Sequence, residues 1–104
     1  MPKETKCCRH CSEKTTLRCD ERKKQLLNRL KRMEGQLRGI QTMLENDAYC
    51  NDILVQSAAV AAALASFNRE LLSDHIHTCV ARDLREGKDE VIDELTDTLR
   101  KLLK

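Results

Sequence analysis

Aromatic residues are almost missing from this chain of 104 residues, which has one Tyr, one Phe and no Trp. So few large side chains limit the core that one protomer can build, and they argue against a surface that stacks on single-stranded bases. Proline occurs once, at Pro2, and glycine three times. No run of about 18 apolar residues and no signal-peptide pattern is visible, which predicts a soluble, cytoplasmic protein with no membrane span. A large excess of charge is also missing: the net charge is +2 although 35% of residues are charged, so any basic character that matters is local. No nucleophile, base and oxyanion donors can be assembled from the spacing, which argues against an enzyme. The length suits one domain, or a protomer whose core a partner completes. Cysteine, by contrast, is plentiful, with six residues. In an intracellular chain these read as thiols and metal ligands rather than disulfides.

The stretch from Tyr49 to Cys79 contains neither Pro nor Gly. Val60, Leu64, Phe67 and Leu71 recur at steps of four, three and four, the period of an amphipathic helix. With Asn51 and Asp52 as N-cap residues and Gly87 as the next breaker, the pattern predicts one long helix over 50–86. Cys50 stands at its start, and His75 and Cys79 near its end. The latter two are four apart and share a face. Cys50 lies about 25 residues earlier, ~38 Å along an ideal helix, beyond reach of the other two within its own chain. Two such helices packed antiparallel bring each Cys50 beside its partner's His75 and Cys79. The crossing then falls among Ala58, Ala59, Ala61, Ala62, Ala63 and Ala65, where small side chains permit close approach. The expectation is two equivalent intersubunit sites on an antiparallel dimer. Two thiolates and one imidazole form a soft, three-coordinate set that suits Cu(I) better than tetrahedral Zn(II). Buried structural cysteines and a surface histidine are the competing reading. His77 faces away from the pair and reads as surface.

Residues 1–19 are polar and aperiodic and read as a flexible tail, with 20–104 as the helical domain. Cys7, Cys8, His10 and Cys11 cluster in the tail, but no second half with matching spacing follows to complete a zinc module. Incidental metal affinity is the simpler reading, and metal scavenging or hand-over the other. Asp20 is the expected N-cap of the first helix. There Leu26, Leu30, Met33, Leu37, Ile40 and Leu44 form a heptad seam. Gly35 and Gly39, four apart, predict close contact with a neighbouring helix or a tolerated defect. Arg18, Arg22, Arg29 and Arg32 fall beside one edge of the seam, and Lys24, Lys31 and Arg38 fall opposite. With Glu21 and Glu34 among few acidic residues to balance them, this is a basic face that an oligomer would multiply, and Arg69 could extend it. No helix-turn-helix pattern is present, so many phosphate contacts on a duplex, with specificity from shape, are the implied mode. After the turn at Arg85-Glu86-Gly87-Lys88, Asp89 is expected to cap a last helix with Ile92, Leu95, Leu99 and Leu102 on one stripe.

The run R-L-K-R-M-E-G-Q-L-R-G-I-Q-T-M-L-E-N-D-A-Y-C-N-D-I-L-V-Q, followed by H-I-H-T-C, resembles the copper-sensitive operon repressors over roughly residues 20–104. The Cys50, His75, Cys79 set is the specific part of the likeness. The resemblance implies an all-α three-helix protomer, an antiparallel four-helix-bundle dimer and a dimer of dimers. It implies Cu(I), one per protomer at an intersubunit site, and double-stranded operator DNA bound in the apo state and released on copper binding. Arg29 and Arg69 match basic positions that relatives use on operator DNA; Arg22, Lys31 and Arg32 join them as DNA-binding candidates. Tyr49 and Glu94 match residues that relatives place around the ligand His, although Glu94 also reads as an exposed acidic residue. Nickel- and cobalt-sensing relatives recruit a fourth ligand near the start of the first helix, where Cys19 lies. A nickel-, zinc- or thiol-responsive repressor is therefore the alternative within the family. The persulfide-sensing branch lacks the His, and the formaldehyde-sensing branch holds Pro2 close to the first helix, whereas here a long tail separates them. Outside the family, the alternative is a cytosolic copper-buffering protein working through its Cys7–Cys11 cluster.

Overall fold

The computed structural model describes residues 18–103, and its regular structure is helical throughout. The elements are α1 (Asp20–Glu45), α2 (Cys50–His75), a π-helical segment (Ile76–Val80), α3 (Ala81–Arg85) and α4 (Glu90–Leu102). From Cys50 to Arg85 the helix does not break. Three helices were therefore the right expectation, but the second changes its winding before it ends. The tail cluster Cys7, Cys8, His10 and Cys11 lies outside the described residues.

Two compact units divide the chain. In the first, Asp20–Arg69, α1 turns back into the start of α2. Asp20 and Glu21 sit in the first turn of α1, where acidic groups complement the helix dipole; Asp20 is the first helical residue, not the cap ahead of it. The helix closes when Asp47 takes a left-handed conformation (φ 55°). Ala48 N–H then reaches Met43 O at 2.9 Å and Asp47 N–H reaches Leu44 O at 3.2 Å, a Schellman closure. The next helix starts at Cys50, as expected, but its cap lies elsewhere. Tyr49 O accepts from Asp52 N–H at 3.0 Å and Ile53 N–H at 3.2 Å, so Tyr49, and not Asn51 or Asp52, occupies the capping position.

Of the heptad seam, Leu26 and Met33 are buried, while Leu30, Leu37 and Leu44 remain exposed. No residue of α2 is fully buried. A Cβ added at Gly35 or Gly39 would meet nothing within 4 Å, so among the described residues no helix lies against them. By length and composition alone, Cys50–Arg85 would also suffice to cross a membrane, and none of its most apolar window is buried within the chain.

The second unit runs on from Glu70 and takes in the end of α2, the π-helical segment, α3 and α4. Its buried residues are Cys79, Val80 and Val91. A second Schellman closure ends α3: Lys88 N–H bonds Asp83 O at 2.8 Å and Gly87 N–H bonds Leu84 O at 3.1 Å. The motif needs a residue at positive φ, and Gly87 supplies it at φ 80°. Asp89 takes the N-cap position of α4, but its side chain makes no capping bond. Leu95 and Leu99 of the expected stripe are half-buried, while Ile92 and Leu102 stay exposed and Val91 is the buried member.

Candidate metal centre and basic face

Cys50 opens α2 and His75 closes it, at opposite ends of one 26-residue helix. Cys50 is an exposed free thiol and Cys19, just ahead of α1, a half-buried one. His75 is half-buried, and Cys79 is only 1% exposed. Among the described residues, no three His, Cys, Asp or Glu side chains come together within the one chain as a metal-holding group. Cys79 is disulfide-bonded, contrary to the expectation of thiols throughout. Metal ligation needs the thiolate, so Cys79 becomes a donor only on reduction. In reduced form the donors are two thiolates and an imidazole, which fit a soft monovalent ion by their chemistry.

The π-helical segment falls on the H-I-H-T-C run itself. Ala81 N–H bonds Ile76 O, five residues back, in place of the α-helical step of four. A turn of this kind takes more than 3.6 residues, so the step from His75 to Cys79 falls just short of a full revolution instead of just past it. The two donors still share a face, and the altered winding shifts their relative direction. π-Bulges recur at functional sites. Two side chains reinforce the backbone here. Thr78 Oγ1 donates to Asp74 O at 2.7 Å and lies 3.6 Å from Cys79 Sγ. His77 Nδ1–H donates to Ser73 O at 2.8 Å, since a carbonyl can only accept. His77 is thus an exposed residue tied to its own helix. Nothing in the periodicity of the sequence marks the wider turn.

Tyr49 is 72% exposed beside Cys50. Glu94 is exposed on α4, where its backbone carbonyl accepts from Thr98 Oγ1 at 3.1 Å.

The basic candidates lie on α1, and Arg69 lies late in α2 within the same unit. Arg22, Arg29 and Arg32 follow one another at steps of seven and three, which sets them on one stripe. Together with Gln25 and Asn28 they line a groove of about 420 Å³. Arg29 Nη1 donates to Ser66 Oγ at 3.1 Å, a bond from α1 to α2. Arg22 Nη1 donates to Gln25 Oε1 at 3.1 Å. Lys31 and Arg69 are exposed and are not in the wall of this groove. Gln25, Asn28 and Ser66 were missed in the sequence; only its spacing of three from Arg22 and four from Arg29 could have drawn attention to Gln25.

The chain belongs to the metal-sensitive transcriptional repressor family, whose model matches residues 22–101. Among its relatives is the copper-sensing transcriptional repressor CsoR of Bacillus subtilis (strain 168), 54% identical over 83 residues, covering 79% of this chain and 82% of that protein. The copper-sensing transcriptional repressor RicR of Mycobacterium tuberculosis is 46% identical over 67 residues, covering 64% of this chain and 70% of the relative. Among solved structures, that of the copper-sensing repressor CsoR with Cu(I) from Geobacillus thermodenitrificans NG80-2 superposes with a TM-score of 0.82 at 43% identity, covering 86% of this chain and 95% of that one. The nickel-responsive transcriptional regulator InrS has a TM-score of 0.66 at 38% identity, covering 76% of this chain and 90% of that one. The chain is therefore a transcriptional repressor by family and not an enzyme, and the expected all-α class holds.

Proposed function

We propose that this chain is a cytoplasmic Cu(I)-responsive repressor that holds operator DNA in its apo form and releases it when Cu(I) binds. The observation that carries the reading is the placement of its soft donors. Cys50 begins a helix that runs unbroken past His75 and Cys79, and these donors do not gather within one chain. Two helices packed antiparallel, with the alanines from Ala58 to Ala65 at their crossing, join each Cys50 to the partner's His75 and Cys79. The exposed apolar side chains of α2, Leu54, Val55 and Leu64, give such a dimer something to bury. The partner helix is preferred to a lipid bilayer because α2 also carries Asp52, Asn68, Arg69, Glu70 and Asp74.

In this reading the homodimer pairs into a tetramer, with one Cu(I) per protomer. Arg22, Arg29, Lys31, Arg32 and Arg69 form the phosphate-facing surface. Tyr49 and Glu94 are the groups set to hold the His75 ring, since a ligand His commonly donates its other N–H to an acceptor nearby. Cu(I) favours the state with poor DNA affinity, and DNA must then weaken Cu(I) binding by the same factor.

The nickel-responsive neighbour and the free, half-buried Cys19 favour a second reading, in which Cys19 adds a fourth ligand and the effector is Ni(II) or Zn(II). The test is anaerobic titration of the reduced chain on its promoter duplex with Cu(I), Ni(II) and Zn(II) in turn. Release by Cu(I) alone supports the first reading, and release by Ni(II) or Zn(II) but not Cu(I) the second. A chain that binds Cu(I) but never the duplex is a copper buffer.

A further inference from the structure

The groove on α1 contains two side chains to which the metal-responsive reading gives no role, Gln25 and Asn28, and it is braced by a third, Ser66. Its described lining is three guanidiniums and two primary amides, with no carboxylate. Guanidiniums only donate hydrogen bonds. Gln25 Oε1 already accepts from Arg22 at 3.1 Å, which leaves the Gln25 amide N–H groups to donate elsewhere. The wall is therefore rich in donors, and the group that matches it is an anion rich in acceptors. A guanine edge also offers two acceptors to an arginine, and an adenine edge pairs with a primary amide, so base readout is the competing occupant that the test must separate. Arg29 is held from outside the groove: its bond to Ser66 Oγ spans 37 residues of sequence and fixes one corner of a long, flexible side chain. An arginine restrained before binding loses less freedom on binding.

Resting on the reading that α1 faces duplex DNA, we propose that this groove seats a phosphodiester, with Gln25 and Asn28 donating neutral hydrogen bonds to it beside the arginines. Ser66 acts as the positioning residue for Arg29. The arginines supply charge and hence the salt dependence of binding. The two amides supply direction, and they release no counterions.

That division is measurable. The affinity of the apo, reduced chain for a duplex of its own promoter DNA is taken over a series of salt concentrations. Asn28→Ala and Gln25→Ala should each weaken binding about 10- to 150-fold, the range for a lost hydrogen bond to a charged group, with the slope of log K against log salt unchanged. Arg29→Ala should lower that slope by about 0.9. Ser66→Ala should weaken binding by ~3-fold at constant slope, and Ser66→Thr, which keeps the hydroxyl, should restore it. Both amides are exposed, so helicity should stay at the parent value. If Asn28→Ala and Gln25→Ala bind like the parent while Arg29→Ala lowers the slope, the amides are not in contact. This inference then falls and the DNA-binding reading stands. A loss confined to duplexes with one particular base pair makes the amides base readers and overturns the phosphodiester assignment. Failure of Ser66→Thr to restore affinity removes the positioning role. If the parent binds no duplex, the reading and this inference fall together.

Discussion

Replacing Gly87 with Ala tests the joint between the donor-bearing segment and α4. Gly87 sits at φ 80°. A Cβ there would meet no atom within 4 Å, so the substitution creates no clash and its cost lies in the backbone. An L-residue in the left-handed region costs about 1–2 kcal/mol. Loss of glycine's freedom in the unfolded chain offsets ~0.4–1 kcal/mol of that. The net loss should be near 1 kcal/mol, which in a chain of this size lowers Tm by about 4–8 °C. Asp47 offers the opposite experiment, because it holds φ 55° with a side chain attached. Asp47→Gly should raise stability by roughly 0.5 kcal/mol, and the double variant should fall between the singles because the two turns close different helices. Thermal unfolding by circular dichroism, at one protein concentration so that assembly does not shift the midpoint, reads all three. An unchanged or higher Tm for Gly87→Ala would refute the left-handed closure of α3.

Further outcomes follow from the proposed function. Arg29→Ala should weaken apo binding to the promoter duplex, reduce the salt slope by about 0.9 and leave Cu(I) affinity unchanged, as read by anisotropy and by competition with a Cu(I) chelator. Cys50→Ala should lose tight Cu(I) binding. His75→Ala should keep much of it, because two thiolates still hold Cu(I), yet release DNA less completely. Tyr49→Phe and Glu94→Ala should likewise bind Cu(I) near parent affinity but lose part of a coupling of about 1–3 kcal/mol, seen as copper-loaded protein still on DNA; full release by both removes the link from His75 to Tyr49 and Glu94.

The helices were legible because the chain is punctuated so sparsely. The Pro- and Gly-free run from Tyr49 and the breaker at Gly87 marked the long helix to within a residue at each end. Its cap was misplaced because Asn51 and Asp52 are strong capping types, whereas the chain turns at Tyr49, and a helix N-terminus does not require a side-chain cap. The left-handed Asp47 was missed because Asp adopts that conformation only when the turn requires it, and E-N-D-A carries no Gly to announce it. Cys50, His75 and Cys79 stood out by residue type and spacing. The π-helical winding under the last two did not, because an i→i+5 turn changes hydrogen bonding without changing composition. Gly35 and Gly39 find no neighbour among the described residues. The groove on α1 escaped because Ser66 reaches Arg29 only through the pairing of α1 with α2.

The most direct test of the proposed site uses two variants that are each defective. Cys50→Ala chains retain His75 and Cys79, and His75→Ala/Cys79→Ala chains retain Cys50. Each should lack tight Cu(I) binding alone. Mixed under reducing, anaerobic conditions and verified as heterodimers by mass, an antiparallel pair holds one complete donor set, so tight Cu(I) should return at about one ion per mixed dimer. If verified mixed dimers recover no tight Cu(I), the donors do not meet across the two chains and the proposed site is wrong.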